Sequence, residues 1–124
     1  MIYLIGGAPR CGKTILSKKI AAQKKISWIS TDSLWSVVLA GTPKSQIIKK
    51  FPYRKYRLDT HEPELMLQAE ITESNTLWPG VKAFIKHLID CRENYVIEGV
   101  HLMPELVQEL KKTKYWKSLK FDRS

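Results

Sequence analysis

The first third of the chain alternates between short apolar runs and a helically spaced apolar pattern. Residues 2–5 form a continuous apolar run, which is typical of a buried strand. A glycine-containing segment follows, and about three turns of amphipathic helix are then predicted from the spacing of these residues: Ile15, Leu16, Ile20 and Ala21. Residues 26–31 are a second β-favouring run. The order strand, helix, strand predicts a parallel sheet.

The rest of the chain continues this alternation around one irregular stretch. A helix is predicted to begin near Ser33. Further helices are predicted to begin at Pro63, to run over 81–89 and to begin near Pro104. Strands are predicted over 95–97 and 115–121. The Trp78-Pro79-Gly80 sequence predicts a break between two of these helices. The fold class is therefore α/β, as a three-layer α/β/α domain over residues 1–124 with a parallel sheet of about four strands.

The irregular stretch is a basic insertion at about residues 41–62. It contains Gly41, Pro43 and Pro52, and its basic residues are Lys44, Lys49, Lys50, Arg54, Lys55 and Arg57. One interpretation is a substrate-binding subdomain in which Arg54 and Arg57 contact the substrate. A second is a nucleic-acid surface, because aromatic residues are interleaved with the basic ones. A third is an ordinary solvated loop. The sequence leaves all three open.

The glycine-containing segment fits the phosphate-loop pattern G-x-x-x-x-G-K-[ST]. Its members are Gly7, Ala8, Pro9, Arg10, Cys11, Gly12, Lys13 and Thr14. Because the motif lies between a predicted strand and a predicted helix, its backbone N–H groups can cradle nucleotide phosphates. We expect Lys13 to reach the β- and γ-phosphate oxygens and the Thr14 hydroxyl to bind Mg²⁺. The motif predicts a P-loop NTPase-type fold with ATP and Mg²⁺ as cofactors.

Composition narrows the class of protein further. The formal net charge is +9, which favours anionic ligands. Cys11 and Cys91 belong to no C-x-x-C or Cys/His cluster, so a structural metal or redox motif is not predicted. No apolar run is long enough to span a membrane, and no basic leader precedes the first apolar run. We therefore expect a cytoplasmic protein without a membrane partner.

Two carboxylates follow predicted strands at the edge where ligands bind in parallel sheets. Asp32 comes directly after the second strand and Glu98 ends the third. Asp32 is a candidate catalytic residue, although Asp32 or Thr31 could instead cap the following helix. Glu98 could hold Mg²⁺ or orient an attacking hydroxyl, or it could simply face solvent. His101 follows in the next loop and is a weaker candidate for substrate contact.

With these residues placed, the chain resembles the small-molecule and nucleotide kinases of the phosphate-loop superfamily, the adenylate kinase-like group. Local similarity is to 2-phosphoglycerate kinase-like proteins, in the phosphate loop, in residues 29–32 and in residues 96–102. The resemblance implies transfer of the ATP γ-phosphoryl group to a hydroxyl of a small acceptor. It also implies Asp32 as base or substrate contact and Glu98 near the metal.

The resemblance also predicts missing parts. Kinases of this group continue past the fourth strand into an arginine-bearing lid and a fifth strand, whereas this chain ends at Ser124. We therefore expect a truncated fold, as a fragment, a shortened reading frame or a compact variant, in which Arg10, Arg54 or Arg57 substitutes for a lid arginine. An open sheet edge at the fourth strand could also pair with a second copy as a homodimer.

Three functions follow from these expectations. The first is an ATP-dependent kinase acting on a small anionic acceptor. The second is a nucleotide-binding module whose catalysis is weak or lost because the lid is missing. The third is an ATPase or polynucleotide kinase that binds nucleic acid through the basic insertion.

Overall fold

The computed structural model describes residues 1–8, 12–52 and 62–123. Within these ranges the strands are β1 Ile2–Gly6, β2 Ser27–Ser30, β3 Tyr95–Glu98 and β4 Leu119–Arg123. The α-helices are α1 Lys13–Lys24, α2 Thr31–Ala40, α3 Lys44–Lys50, α4 Pro63–Asp90 and α5 Pro104–Val107. Two short 3-10 helices, Gln108–Lys112 and Lys114–Ser118, connect α5 to β4.

The four strands form one parallel sheet in the order β2-β3-β1-β4. In β1, Leu4 is in register with Ile97 of β3 on one side and with Phe121 of β4 on the other. Ile97 is in turn in register with Ile29 of β2. Since all strands are parallel, their carboxyl ends lie at one edge, with the end of β1 in the interior of that edge.

Helices cover both faces of this sheet. On one face, Leu77, Val81 and Ile85 of α4 belong to the same buried cluster as Leu4 and Ile97 of the sheet. On the other face, α1 contributes Ala21 to a smaller cluster that contains Ile5 and Val96. The predicted three-layer α/β/α class with a four-stranded parallel sheet is confirmed.

The long helix α4 corrects the predicted break at 78–80. It runs unbroken for 28 residues, with Pro79 in its interior. Proline removes one backbone hydrogen bond and normally costs about 3 kcal/mol there. However, buried residues of α4 occur both before and after Pro79 in the sequence. They include Leu77, Trp78, Val81, Ile85 and Leu88. Burial of this continuous apolar face outweighs the local penalty of Pro79.

Smaller differences affect α1, α3 and β4. Ile15 was predicted on the buried face of α1 but is 77% exposed, whereas Ser17 is fully buried. The basic insertion, predicted to be irregular, contains the regular helix α3. The fourth strand begins at Leu119, because residues 114–118 form a 3-10 helix.

No helix in the described ranges combines the length and the apolar character needed to cross a bilayer.

Candidate functional site

The phosphate-loop motif, residues 7–14, connects the interior strand β1 to α1. Gly7 has φ +142° and Gly12 has φ +88°, in a region that residues with a Cβ adopt only with strain. Gly12 is the N-cap of α1, whose N-terminus has neither a side-chain cap nor an acidic residue among the described residues. The first N–H groups of α1 therefore keep their partial positive charge for a ligand.

Lys13 lies in this turn in an unusual electrostatic environment. Its side chain is nearly buried, at 7% exposure, and its Nζ donates a hydrogen bond to the Ala8 carbonyl at 3.1 Å. Over residues 1–8, 12–52 and 62–123, no carboxylate lies within ion-pair distance of it. An ammonium group in a nearly buried residue has lost part of its hydration, and an anion bound beside it would compensate for that loss.

The space beside Lys13 is open to a ligand. A depression of about 280 Å³ is lined by Gly12, Lys13, Thr14 and Ile15. A Cβ placed on Gly12 would meet no atom of residues 1–8, 12–52 or 62–123 within 4 Å. Ile15, which its helical spacing assigned to the core, is exposed and lines this depression instead.

Thr14 and Glu98 are brought together although 84 residues separate them in sequence. The Thr14 hydroxyl donates to Glu98 Oε1 at 3.0 Å, because Glu98 ends β3 next to Ile5 of β1. Glu98 is 3% exposed, so the alternative of a solvent-facing acid is excluded. A hydroxyl and a carboxylate are the oxygen ligands that suit Mg²⁺, which also keeps waters and substrate phosphates in its shell. These two residues therefore fit the predicted metal.

Among the described residues, no group of three or more His, Cys, Asp or Glu side chains converges as in an all-protein metal centre. The pair of Thr14 and Glu98 is a smaller donor set, which would be completed by oxygens of the nucleotide and by water.

Asp32 lies at the same edge of the sheet, in the first turn of α2. This helix begins at Thr31, and its N-cap is Ser30, whose hydroxyl accepts a hydrogen bond from the Asp32 N–H at 3.1 Å. The alternative that Asp32 or Thr31 caps the helix is therefore wrong. Ser30 is in register with Glu98, which places Asp32 two residues beyond the strand position beside Glu98.

His101, the weaker sequence candidate for substrate contact, is buried and paired in the loop after β3. It is 1% exposed, and both ring nitrogens are engaged. Nδ1 lies 2.7 Å from Thr31 Oγ1, and Nε2 lies 2.6 Å from Glu73 Oε2 on α4. Its ring therefore has no accessible atom for the predicted substrate contact in this conformation. Sequence reasoning missed Thr31 and Glu73 as its partners, because 70 and 28 residues separate them from His101.

Gly99 is packed against this histidine network. A Cβ at position 99 would lie 1.7 Å from Thr31 Oγ1 and 2.8 Å from Thr31 Cβ. Since Thr31 is fully buried, the start of α2 would have to move. The available sequence signal was Gly99 directly after β3, since a glycine at such a position indicates that the backbone approaches another element closely.

We expect Gly99→Ala to destabilise the protein by about 3 kcal/mol, at the upper end for overpacking, as measured by urea unfolding. Gly80→Ala is the matched control, because Gly80 is exposed on α4 and a Cβ there meets no atom of the described part of the chain within 4 Å. That change should raise the free energy of unfolding by about 0.5–1 kcal/mol. Equal stability of the two variants would contradict the described packing of Gly99 on Thr31.

The chain is similar to a solved structure over nearly its whole length. No protein-family model matches the chain, and no curated protein matches it. Among solved structures, the chain is similar to a protein described as a "putative kinase" from Chloroflexus aurantiacus J-10-fl, with 17% sequence identity and a TM-score of 0.48. The match covers 98% of this chain and 56% of that protein. The chain thus spans little more than half the length of the structure it matches.

Five predicted site residues lie outside the described ranges. Pro9, Arg10 and Cys11 belong to the middle of the phosphate-loop motif, and Arg54 and Arg57 belong to the basic insertion. Their predicted roles in phosphate and substrate binding remain predictions. The described residues do bring Lys13, Thr14, Glu98 and Asp32 to one edge of the sheet.

Proposed function

We propose that this chain binds Mg-ATP at residues 7–14 and transfers the γ-phosphoryl group to a hydroxyl of a small anionic acceptor. The observation that carries the proposal is Lys13, a nearly buried residue whose ammonium has no carboxylate partner among the described residues and lies at the uncapped N-terminus of α1. This combination favours a bound polyanion over an ordinary strand-to-helix turn.

Each part of the site has a role in this proposal. The N–H groups at the start of α1 bind phosphate oxygens, and Lys13 neutralises charge on the γ-phosphoryl group as it moves. Thr14 and Glu98 would hold Mg²⁺, which when bound neutralises phosphate charge and orients the oxygens. During transfer the acceptor oxygen forms a bond to phosphorus, the bond to the β-phosphate oxygen breaks, and ADP leaves. Asp32 takes the proton of the acceptor hydroxyl.

The charge of the protein supports an anionic acceptor. The formal net charge is +9, and α3 carries exposed lysines at 44, 49 and 50 in the insertion that follows α2. Basic surfaces raise the local concentration of anionic substrates and their association rates. We therefore propose phosphorylated or carboxylated hydroxy compounds as the acceptor class.

A single-turnover assay tests this function. Protein in excess over γ-labelled ATP is incubated with Mg²⁺ and pools of carboxylated and phosphorylated hydroxy metabolites, and label transfer is followed. We expect transfer to at least one pool, dependent on Lys13. ATP binding without transfer to any pool would instead support a nucleotide-binding module. Transfer to oligonucleotides, with binding that weakens steeply as salt increases, would support the polynucleotide alternative.

The metal role of Thr14 gives a separate prediction. We expect Thr14→Ala to raise the Mg²⁺ concentration for half-maximal ATP binding about tenfold or more, because one oxygen donor is lost and Glu98 loses its hydrogen bond. Thr14→Ser is the control, since it keeps the hydroxyl and should stay within about threefold of the wild type. Both are measured with a fluorescent ATP analogue titrated at several Mg²⁺ concentrations. An unchanged Mg²⁺ requirement in Thr14→Ala would show that this hydroxyl does not bind the metal.

A further inference from the structure

A buried hydrogen-bond network lies next to the proposed site without forming part of it. Thr31 Oγ1 lies 2.7 Å from His101 Nδ1, and His101 Nε2 lies 2.6 Å from Glu73 Oε2. The three residues are 0%, 1% and 3% exposed, respectively. They come from three elements, which are the first turn of α2, the loop after β3 and the middle of α4.

The order hydroxyl, imidazole, carboxylate is also the order of a nucleophilic triad. A nucleophile has to meet its substrate, however, and Thr31 is completely buried. The Gly99 backbone closes one side of its hydroxyl, where there is no room even for a Cβ. Nucleophilic catalysis by Thr31 is therefore excluded in this conformation, and the network needs another explanation.

The position of the network points to the strand-end carboxylates. Thr31 directly precedes Asp32, and His101 follows Glu98 by three residues. Between them, the Gly99 N–H donates to the Ile5 carbonyl at 3.0 Å, which ties the end of β3 to β1. The network therefore links the segments that carry both carboxylates, and Glu73 anchors it to the long helix α4.

The polar character of the network affects how strictly it fixes the orientation of the elements that it joins. A buried polar group is costly unless its hydrogen bonds are made with good geometry, so a satisfied network favours one arrangement of its elements. An apolar cluster of the same volume would pack these elements together while specifying their orientation less strongly. The Thr31–His101–Glu73 network is thus suited to fixing an orientation.

We propose that Thr31, His101 and Glu73 are positioning residues that fix the first turn of α2 and the loop after β3, and with them Asp32 and Glu98. The expectation that these residues affect phosphoryl transfer rests on the proposed function. The expectation that they keep the two segments ordered does not rest on it and is measured separately.

The first experiment follows backbone amide hydrogen exchange in Thr31→Val, which removes the hydroxyl at nearly constant volume. We expect exchange at residues 32–34 and 98–102 to become at least about tenfold faster, with protection at Ala21 in α1 unchanged. Thr31→Ser keeps the hydroxyl and should restore wild-type protection. Unchanged exchange at both segments in Thr31→Val, or equal loss of protection throughout the chain, would overturn the proposal.

The second experiment measures transfer per folded molecule at 25 °C. In Thr31→Val we expect kcat for phosphoryl transfer to fall about 10- to 100-fold, as for residues that orient active groups, with ATP affinity within about twofold of the wild type. Glu73→Gln should act through the same network, so the double variant should lose little more than Thr31→Val alone. Lower stability with an unchanged kcat would mean a purely structural role and would overturn the proposal.

The two proposals fail in different ways. If the wild type shows no ATP-dependent transfer and Lys13→Ala does not alter ATP binding, the proposed function fails, while hydrogen exchange still decides whether the network orders residues 32–34 and 98–102. If Lys13→Ala abolishes transfer while Thr31→Val changes neither exchange nor kcat, the positioning proposal fails alone.

Discussion

Lys13→Ala is expected to lower the rate of phosphoryl transfer by about 10²–10³-fold and to weaken ATP binding. The substitution removes a positive charge that follows the γ-phosphoryl group into the transition state, and losses of this size are typical when one preorganised donor is removed. Because Lys13 is nearly buried and has no carboxylate partner in the described part of the chain, its removal breaks no ion pair there. The substitution removes the hydrogen bond from Lys13 Nζ to the Ala8 carbonyl, so the free energy of unfolding should fall by only about 1 kcal/mol.

Lys19→Ala is the matched control. Lys19 lies on the same helix, is exposed, and its replacement changes the net charge by the same amount. Its transfer rate and ATP affinity should stay within about twofold of the wild type, since exposed charges contribute little. Equal losses in both variants would show that general basicity, and not the position of Lys13, is responsible.

Asp32→Asn is expected to lower kcat by about 10²-fold or more while ATP affinity stays nearly unchanged. The amide is similar in shape but cannot take the proton from the acceptor hydroxyl, and general-base catalysis typically contributes about 10²–10⁴-fold. The rate is measured with an acceptor identified by the single-turnover screen, and ATP binding is measured by fluorescence titration.

A suitable control for Asp32→Asn is Glu105→Gln. Both residues are exposed acids in the first turn of a helix, and each substitution removes one negative charge while nearly keeping the shape of the side chain. Only Asp32→Asn should lose activity. A fall in stability without a fall in kcat would show that Asp32 has a structural role alone.

The phosphate-loop motif and the alternation of strands and helices predicted at which edge of the sheet the site lies. The phosphate-loop motif places glycines where the backbone has to turn, and in the structure Gly7 and Gly12 have positive φ angles. The parallel sheet followed from the alternation of strands and helices. Because parallel strands share a carboxyl edge, the sequence also placed Glu98 at the edge that carries the phosphate loop. In the structure its carboxylate is hydrogen-bonded to Thr14.

The parts that sequence analysis missed depend on contacts between distant segments. Pro79 was expected to end a helix, but burial of Leu77 and Trp78 before it and of Val81 after it maintains α4. Ile15 was assigned to the core by spacing alone, although α1 faces the sheet with Ser17 and Ala21. Helical spacing identifies a periodic face but not which face meets the sheet.

The histidine network shows the same limit. His101 has no neighbour in sequence that indicates its partners, since Thr31 and Glu73 come from other elements. Only the assembled sheet, with β2 beside β3 and α4 across its face, brings the three side chains together.

The central claim, that residues 7–14 bind the phosphates of Mg-ATP, is tested most directly by an NMR titration of the ¹⁵N-labelled wild-type protein with Mg-ATP. The account predicts that the largest amide shifts occur at Gly12, Lys13, Thr14 and Ile15, together with a shift of the Lys13 ammonium signal. It is contradicted if Mg-ATP leaves these signals unchanged, or if the largest shifts lie elsewhere in the chain.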